Sequence, residues 1–266
     1  MAAETGAASA TAVELACTIT GSGPDLVLLH PVGLDRTFMA PCLEKAARNH
    51  RVLAVDLRGH GQSPPATRGT TLDDYVADIH AVMAEHCRGP ATVLGLSFGG
   101  MLAQLVALAH SGSVARLVLC GCPAGFASEV RPMLRERGLA AERAGMAGVV
   151  DATIERWFNP PFRVSAPAER VRARLLSDDV AGWSAGWHAI AALDALPRLG
   201  EIKVPTLVVS GERDAATPFA ASQAIAQAIP GAQLTVLPGA PHMMQIESQD
   251  ALNDAVGAFL AATSSR

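Results

Sequence analysis

The chain has 266 residues, of which 50% are hydrophobic and 17% are charged, and its formal net charge is −4. This composition is typical of a globular protein with a large core and excludes a disordered chain. The net charge gives no electrostatic reason to bind nucleic acid or an anionic membrane surface, so neither partner is expected.

Short apolar runs alternate with longer amphipathic segments along most of the chain. The apolar runs predict strands buried on both faces, at 26–29, 52–55, 91–94, 117–120, 206–209 and 234–237. The amphipathic segments predict helices at 36–48, 72–87, 99–110, 218–229 and 248–262. This alternation is typical of βαβ units, and it predicts an α/β fold with a mostly parallel, twisted sheet flanked by helices. Residues 13–19 alternate like an antiparallel edge strand.

The alternation is interrupted once. From residue 123 to about residue 200 no segment is a convincing strand, and the stretches rich in Ala, Arg, Leu and Trp predict helices. A strand is predicted again at 206–209. The interruption therefore predicts a helical insertion that lies over the sheet.

The cysteines and the N-terminal residues indicate the cellular compartment in which the protein is expected. The five cysteines lack metal-ligand spacing and predict free, mostly buried thiols in a cytoplasmic protein without a metal site; they are Cys17, Cys42, Cys87, Cys120 and Cys122. Residues 1–11 lack the basic and apolar regions of a secretion signal. No apolar run reaches the ~18 residues that a membrane span requires.

One pentapeptide points to chemistry. Gly95-Leu96-Ser97-Phe98-Gly99 lies between a predicted strand and a predicted helix, which is the context of a nucleophile elbow. Such a turn strains the serine backbone and exposes its hydroxyl at a helix N-terminus, where partial positive charge favours a developing anion. The motif predicts acyl transfer through Ser97.

A serine nucleophile needs a base, an orienting acid and two oxyanion donors. His242 follows the last predicted strand and Asp214 follows the one before it, so they are the predicted base and acid. Glu212 is an alternative acid. The predicted oxyanion donors are the amides of Phe98 and Val32, since Pro31 has no N–H.

Five segments together resemble the α/β-hydrolase superfamily, and within it most closely the 3-oxoadipate enol-lactonases. They are 30–33 (His-Pro-Val-Gly), 56–63, 95–99, 211–214 and 241–242. The enol-lactonase resemblance also rests on Arg156-Trp157-Phe158, on 203–218 and on 241–247. It implies a Ser97, Asp214 and His242 triad that needs no cofactor. It also implies a core of residues 1–122 and 200–266, and a helical cap of residues 123–199 inserted after the sixth strand.

The resemblance implies hydrolysis of a small ester or lactone in bacterial aromatic catabolism. A dicarboxylate-derived lactone would need cationic groups, for which Arg131, Arg135 and Arg156 are the candidates. Trp157 is the candidate for the pocket roof, ahead of Trp183 and Trp187. A carboxylesterase, a carbon–carbon bond hydrolase and a non-catalytic small-ligand receptor remain alternatives, and the sequence leaves a homodimer open.

Overall fold

The computed structural model describes residues 12–263, apart from the side chain of Cys42. The expectation of no secretion signal in residues 1–11 therefore lies outside the described residues. Seven strands form one sheet: β1 Cys17–Gly21, β2 Asp25–Leu29, β3 Arg51–Val55, β4 Ala91–Leu96, β5 Val114–Cys120, β6 Thr206–Gly211 and β7 Gln233–Leu237. Their order is β1-β3-β2-β4-β5-β6-β7. β1 is antiparallel to β3 and the other neighbouring pairs are parallel.

The helices flank this sheet, as predicted for an α/β fold. They are α1 Glu44–Ala47, α2 Leu72–His86, α3 Phe98–Ala109, α4 Arg131–Ala144, α5 Ala147–Trp157, α6 Ala166–Leu176, α7 Val180–Ala192, α8 Phe219–Ala228, α9 Met244–Glu247 and α10 Gln249–Thr263. A capping box between Thr71 and Asp74 sets the start of α2. Among residues 12–263, no helix is both long and apolar enough to cross a membrane.

The helix predicted at 36–48 is wrong as a single element. The structure has 3-10 turns at Arg36–Phe38 and Pro41–Leu43, followed by the single turn α1. Pro41 lacks the N–H that a continuous helix would use at this position, and it is instead the first residue of the second 3-10 turn.

The edge strand is shorter than predicted. It begins at Cys17 rather than at residue 13. Before it, the Val13 amide donates to Asp78 Oδ1 at 2.8 Å and the Ala16 amide donates to Ser63 Oγ at 2.9 Å. Side chains therefore satisfy backbone groups that a longer strand ladder would have used.

The helical insertion follows β5, the fifth strand in chain order, and not a sixth strand as expected. The reason is that only one strand, β1, precedes β2 among the described residues. Helices α4 to α7 lie in the insertion, and α4 packs against α7. At its two ends the Ala195 amide donates to the Ala124 carbonyl oxygen at 2.6 Å. We keep 123–199 as the proposed limits of the cap.

The register of the parallel strands positions the candidate site. Leu96 pairs with Cys120, and Gly211 pairs with Leu237. The carboxyl ends of β4, β5, β6 and β7 therefore lie at one edge of the sheet, under the cap.

Cys120 and Cys122 are buried free thiols, as predicted, whereas Cys17 and Cys87 are half-buried.

One close approach between cap and core gives a stability prediction. A Cβ atom at Gly182 in α7 would lie 2.2 Å from the Gly59 carbonyl oxygen. We expect Gly182→Ala to lower the free energy of unfolding by at least about 2 kcal/mol through overpacking, despite a helix-propensity gain of about 1 kcal/mol. Urea unfolding measures this. Gly112→Ala is the control, since no described atom lies within 4 Å of the added Cβ. Equal stability of Gly182→Ala and the parent chain would contradict the tight packing.

Candidate active site

Ser97 occupies a strained turn between β4 and α3. Its φ is 53° and its ψ is −116°, and it is the one residue other than glycine with positive φ among the described residues. The turn is possible because Cβ atoms at Gly95 and Gly99 would lie 2.1 Å and 2.2 Å from backbone oxygens. The elbow predicted from the sequence therefore has the expected geometry.

His242 joins Ser97 to Asp214 through hydrogen bonds. Its Nε2 lies 3.0 Å from Ser97 Oγ, and its Nδ1 lies 2.8 Å from Asp214 Oδ2 and 3.0 Å from Oδ1. The Ser97 and His242 side chains are buried, which keeps water from competing for these bonds. The three residues predicted as nucleophile, base and acid are thus brought together from the ends of three strands.

Asp214 is itself held in place, and Glu212 has a different partner. Asp214 Oδ1 accepts hydrogen bonds from the amides of Ala216 and Thr217, both at 2.8 Å. Glu212 Oε2 accepts from the Gly239 amide at 2.7 Å. Of the two candidate acids, Asp214 is therefore the one that meets the imidazole.

The two predicted oxyanion donors lie beside Ser97. Val32 and Ser97 line the same cavity. The Phe98 amide is the first of α3, so it has no partner within the helix. The Val32 amide donates to no acceptor among residues 12–263. Both N–H groups are thus available to a negative oxygen.

A buried histidine fixes the orientation of the Val32 amide. The Leu57 N–H donates to His30 Nε2 at 2.9 Å, so the ring proton is assigned to Nδ1. His30 Nδ1 then donates to the Pro31 carbonyl oxygen at 2.7 Å. In a trans peptide the carbonyl and the next N–H point in opposite directions, so this bond also directs the Val32 N–H.

A cavity of about 340 Å³ lies between the sheet edge and the cap. Ser97 and His242 open into it, and most of its other lining residues are apolar; they include Met101, Phe126, Leu134, Trp157 and Ile190. A cavity of this size suits a small organic molecule. Among residues 12–263, no group of His, Cys, Asp and Glu side chains is arranged to hold a metal ion.

Arg137 brings a positive charge into this apolar cavity. Its guanidinium lies 4.5 Å from the centre of the Trp187 ring and pairs with no carboxylate among the described residues. Burial, and secondarily the nearby Arg156, lowers the pKa of Arg137 to about 10, so it remains charged at neutral pH. The buried Trp187 Nε1 also lacks an acceptor within the described part of the chain. The guanidinium of Arg137 can therefore bind an anion inside the cavity.

The structure places one of the predicted substrate-binding residues, Trp157, in the cavity, and it places Arg131 and Arg156 outside the cavity lining. Trp157 lines the cavity, with its ring 6.3 Å from that of His242. Arg156 lines a groove between α4 and α5 to which Arg137 also contributes, because one residue along a helix turns the side chain by about 100° from Trp157. Arg131 Nε donates to the Phe126 carbonyl oxygen at 3.1 Å, and neither arginine is among the described lining residues of the cavity. Trp187 also lines it.

Helical phase is the signal that could have identified Arg137. It lies three and four residues after Leu134 and Met133, which line the same cavity. Arg135 lies on the exposed side of α4. This spacing can be used only when the residues are known to lie in one helix. The sequence analysis predicted helices within 123–199 but did not say where each begins or ends.

Comparisons with known proteins agree with the fold. Residues 26–255 match the model of the alpha/beta hydrolase family, and the chain belongs to this family. It is 33% identical to a pimeloyl-[acyl-carrier protein] methyl ester esterase of Chromobacterium violaceum, over 84% of this chain and 88% of that protein. It is 27% identical to 3-oxoadipate enol-lactonase 2 of Acinetobacter baylyi, over 89% of this chain and 88% of that protein.

A solved structure extends the comparison. The enol-lactonase from Burkholderia xenovorans LB400 superposes with a TM-score of 0.86 at 33% identity, covering 93% of this chain and 96% of that one. The predicted membership of the α/β-hydrolase superfamily and the likeness to enol-lactonases are thus confirmed. The chain is an α/β hydrolase whose relatives include esterases and lactonases.

The burial of His30 predicts a pH dependence of stability. Burial lowers the pKa of His30 to about 4, whereas an unfolded histidine titrates near 6.5. Below pH 6.5 this histidine binds a proton in the unfolded chain but stays neutral in the folded chain. The free energy of unfolding therefore decreases as the pH falls from about 6.5 to about 4. The full shift corresponds to about 3 kcal/mol.

Urea unfolding of the parent chain and of His30→Gln at pH 7.5 and pH 5 measures this effect. Other groups also titrate in this range, so the difference between the two pH slopes reports His30 together with its charge effect on the neighbouring His60. We expect the shallower slope in His30→Gln. A variant that loses stability as steeply as the parent would show that His30 is not held neutral.

Proposed function

We propose that this chain is a serine hydrolase that cleaves a small carboxylic ester or lactone carrying a second, free carboxylate. One observation carries the proposal. The same apolar cavity contains the Ser97 hydroxyl, hydrogen-bonded to His242, and the guanidinium of Arg137, which pairs with no carboxylate among residues 12–263. The first pair suits attack on a carbonyl carbon, and the guanidinium suits a remote anion.

In the proposed reaction, His242 Nε2 takes the Ser97 proton as Oγ attacks the carbonyl carbon. Asp214 keeps the imidazole in the tautomer that carries its proton on Nδ1, and it stabilises the imidazolium that forms. The amides of Val32 and Phe98 donate to the oxyanion. Removal of one such donor typically costs about 3 kcal/mol of transition-state stabilisation.

The tetrahedral intermediate then collapses. The bond between the carbonyl carbon and the alkoxy oxygen breaks, and His242 gives its proton to that oxygen, which leaves an ester of Ser97. In a lactone the leaving oxygen remains attached to the acyl group. Water, deprotonated by His242, attacks the acyl-enzyme, and a second collapse returns the proton to Ser97 and releases the acid.

Arg137 supports the carboxylate in the proposed substrate. A guanidinium in an apolar surrounding gains most from an anion that can accept its hydrogen bonds, and a carboxylate matches its planar donors. A relative is named a 3-oxoadipate enol-lactonase, and that lactone retains one free carboxylate. We therefore propose this lactone and related half-esters as the first substrates to examine.

The test compares monomethyl adipate and 3-oxoadipate enol-lactone with dimethyl adipate, which has no free carboxylate. We expect the parent chain to prefer the two anionic substrates. Arg137→Met should lower kcat/KM for them about 100-fold, which is about 3 kcal/mol, and leave hydrolysis of dimethyl adipate within about three-fold of the parent.

Two controls accompany this comparison. Arg135→Met removes an exposed arginine from the same helix. It should change hydrolysis of neither the anionic substrates nor dimethyl adipate. Ser97→Ala should abolish turnover of all three substrates. Equal use of charged and neutral esters by the parent chain would indicate a general carboxylesterase. Binding of the anions without turnover would indicate a receptor.

A further inference from the structure

The loop that carries His242 is held from two sides. We define this histidine loop as residues 239–247. On the sheet side, the Gly239 amide donates to Glu212 Oε2 at 2.7 Å, and the Ala240 carbonyl accepts from the Arg213 amide at 2.9 Å. Both of these contacts lie before His242. The other side of the loop meets the cap.

Two cap residues, Trp157 and Asn159, provide the second set of contacts. The Trp157 carbonyl accepts from the amide of Met243, the residue after His242, at 3.1 Å. Asn159 follows the end of α5 and precedes a 3-10 turn that starts with Pro160. Phe158 before it is extended, with φ and ψ of −127° and 150°, so the backbone N–H of Asn159 leaves the hydrogen-bond pattern of the helix.

Asn159 joins the two ends of the histidine loop. Its Nδ2 donates to the Gly239 carbonyl oxygen at 2.9 Å and to Glu247 Oε1 at 2.8 Å. Its backbone N–H donates to Glu247 Oε2 at 3.1 Å. One residue therefore connects the first and last residues of the loop, and two of its three hydrogen bonds are to a charged acceptor, which strengthens them.

These contacts join two of the segments on which the enol-lactonase resemblance rests. Arg156-Trp157-Phe158 ends the second cap helix, and 241–247 surrounds the histidine almost 90 residues later. Neither segment supplies the nucleophile or the acid. The structure brings them into contact where the Met243 amide donates to the Trp157 carbonyl, and Asn159, which follows the first segment, adds hydrogen bonds to Glu247.

We propose that Asn159 is a positioning residue for His242, acting through Gly239 and Glu247. The inference rests on the proposed function, because it assigns the cap a part in proton transfer beyond covering the substrate. His242 lies in a loop without a strand ladder, and Nε2 must remain near the 3.0 Å that separates it from Ser97 Oγ. A shift of about 1 Å at a reacting group can cost about 100-fold in rate. Asn159 limits that shift.

The first test is Asn159→Ala, assayed with monomethyl adipate. We expect kcat to fall by about 10- to 100-fold while KM changes less than about two-fold, because proton transfer is disturbed and the Arg137 end of the cavity is not. Asn253→Ala is the matched control. It removes a buried amide that accepts from the Ala46 amide and donates to the Gln249 carbonyl, both at 2.8 Å. We expect it to lower stability and leave kcat within two-fold.

The second test distinguishes positioning from general destabilisation. Asn159→Asp removes the amide donor and places a carboxylate against Glu247. Adding Glu247→Gln removes that repulsion and supplies a side-chain amide at position 247 that can donate to the new carboxylate. We expect kcat of the double variant to exceed that of Asn159→Asp at least three-fold. A purely structural role predicts additive losses and a slower double variant.

The outcomes are separable. If the parent chain turns over monomethyl adipate and kcat of Asn159→Ala stays within two-fold of it, the positioning role is overturned and the proposed function stands. The same holds if KM alone changes, or if the double variant shows additive losses. If the parent chain hydrolyses none of the esters and lactones, both proposals are overturned.

Discussion

The hydrogen bonds from Ser97 through His242 to Asp214 are the constraint on which the rest of the structure depends. The three side chains lie up to 145 residues apart in the chain and meet only because β4, β6 and β7 end at one edge of the sheet. Any slip in strand register would move these ends apart. The strained φ of Ser97 is kept because the strand before it, the helix after it and the flanking glycines leave no room for a relaxed turn.

The cap adds a positive charge to the cavity and contacts the loop that carries His242. Its helix α4 brings Arg137 over Trp187 in α7, so the cavity combines an apolar wall with a positive charge. Its residues Trp157 and Asn159 also contact the histidine loop. Under our two proposals, substrate recognition and the position of the base both depend on the helical insertion, which is the part of the chain with the least regular sequence pattern.

Much of the sheet was predictable because its strands are buried on both faces, which gives apolar runs that no surface helix has. The triad was predictable because it follows these strands directly. Within 123–199 the sequence predicted helices but not their boundaries, so the phase that directs Arg137 inward and Arg156 outward was missing. Residues 36–48 show the opposite error, since an apparent helical period was interrupted by Pro41. The contact between Asn159 and Glu247 is long-range, and no local pattern indicates it.

The central claim is that His242 activates Ser97 as a nucleophile, and covalent trapping tests it directly. The chain is incubated with a p-nitrophenyl alkylphosphonate, and the adduct is located by peptide mass spectrometry. The account predicts one adduct per chain, on the peptide that contains Ser97, formed at least about 1000-fold more slowly in His242→Gln. An adduct on another residue, or an equal rate in the two chains, would contradict it.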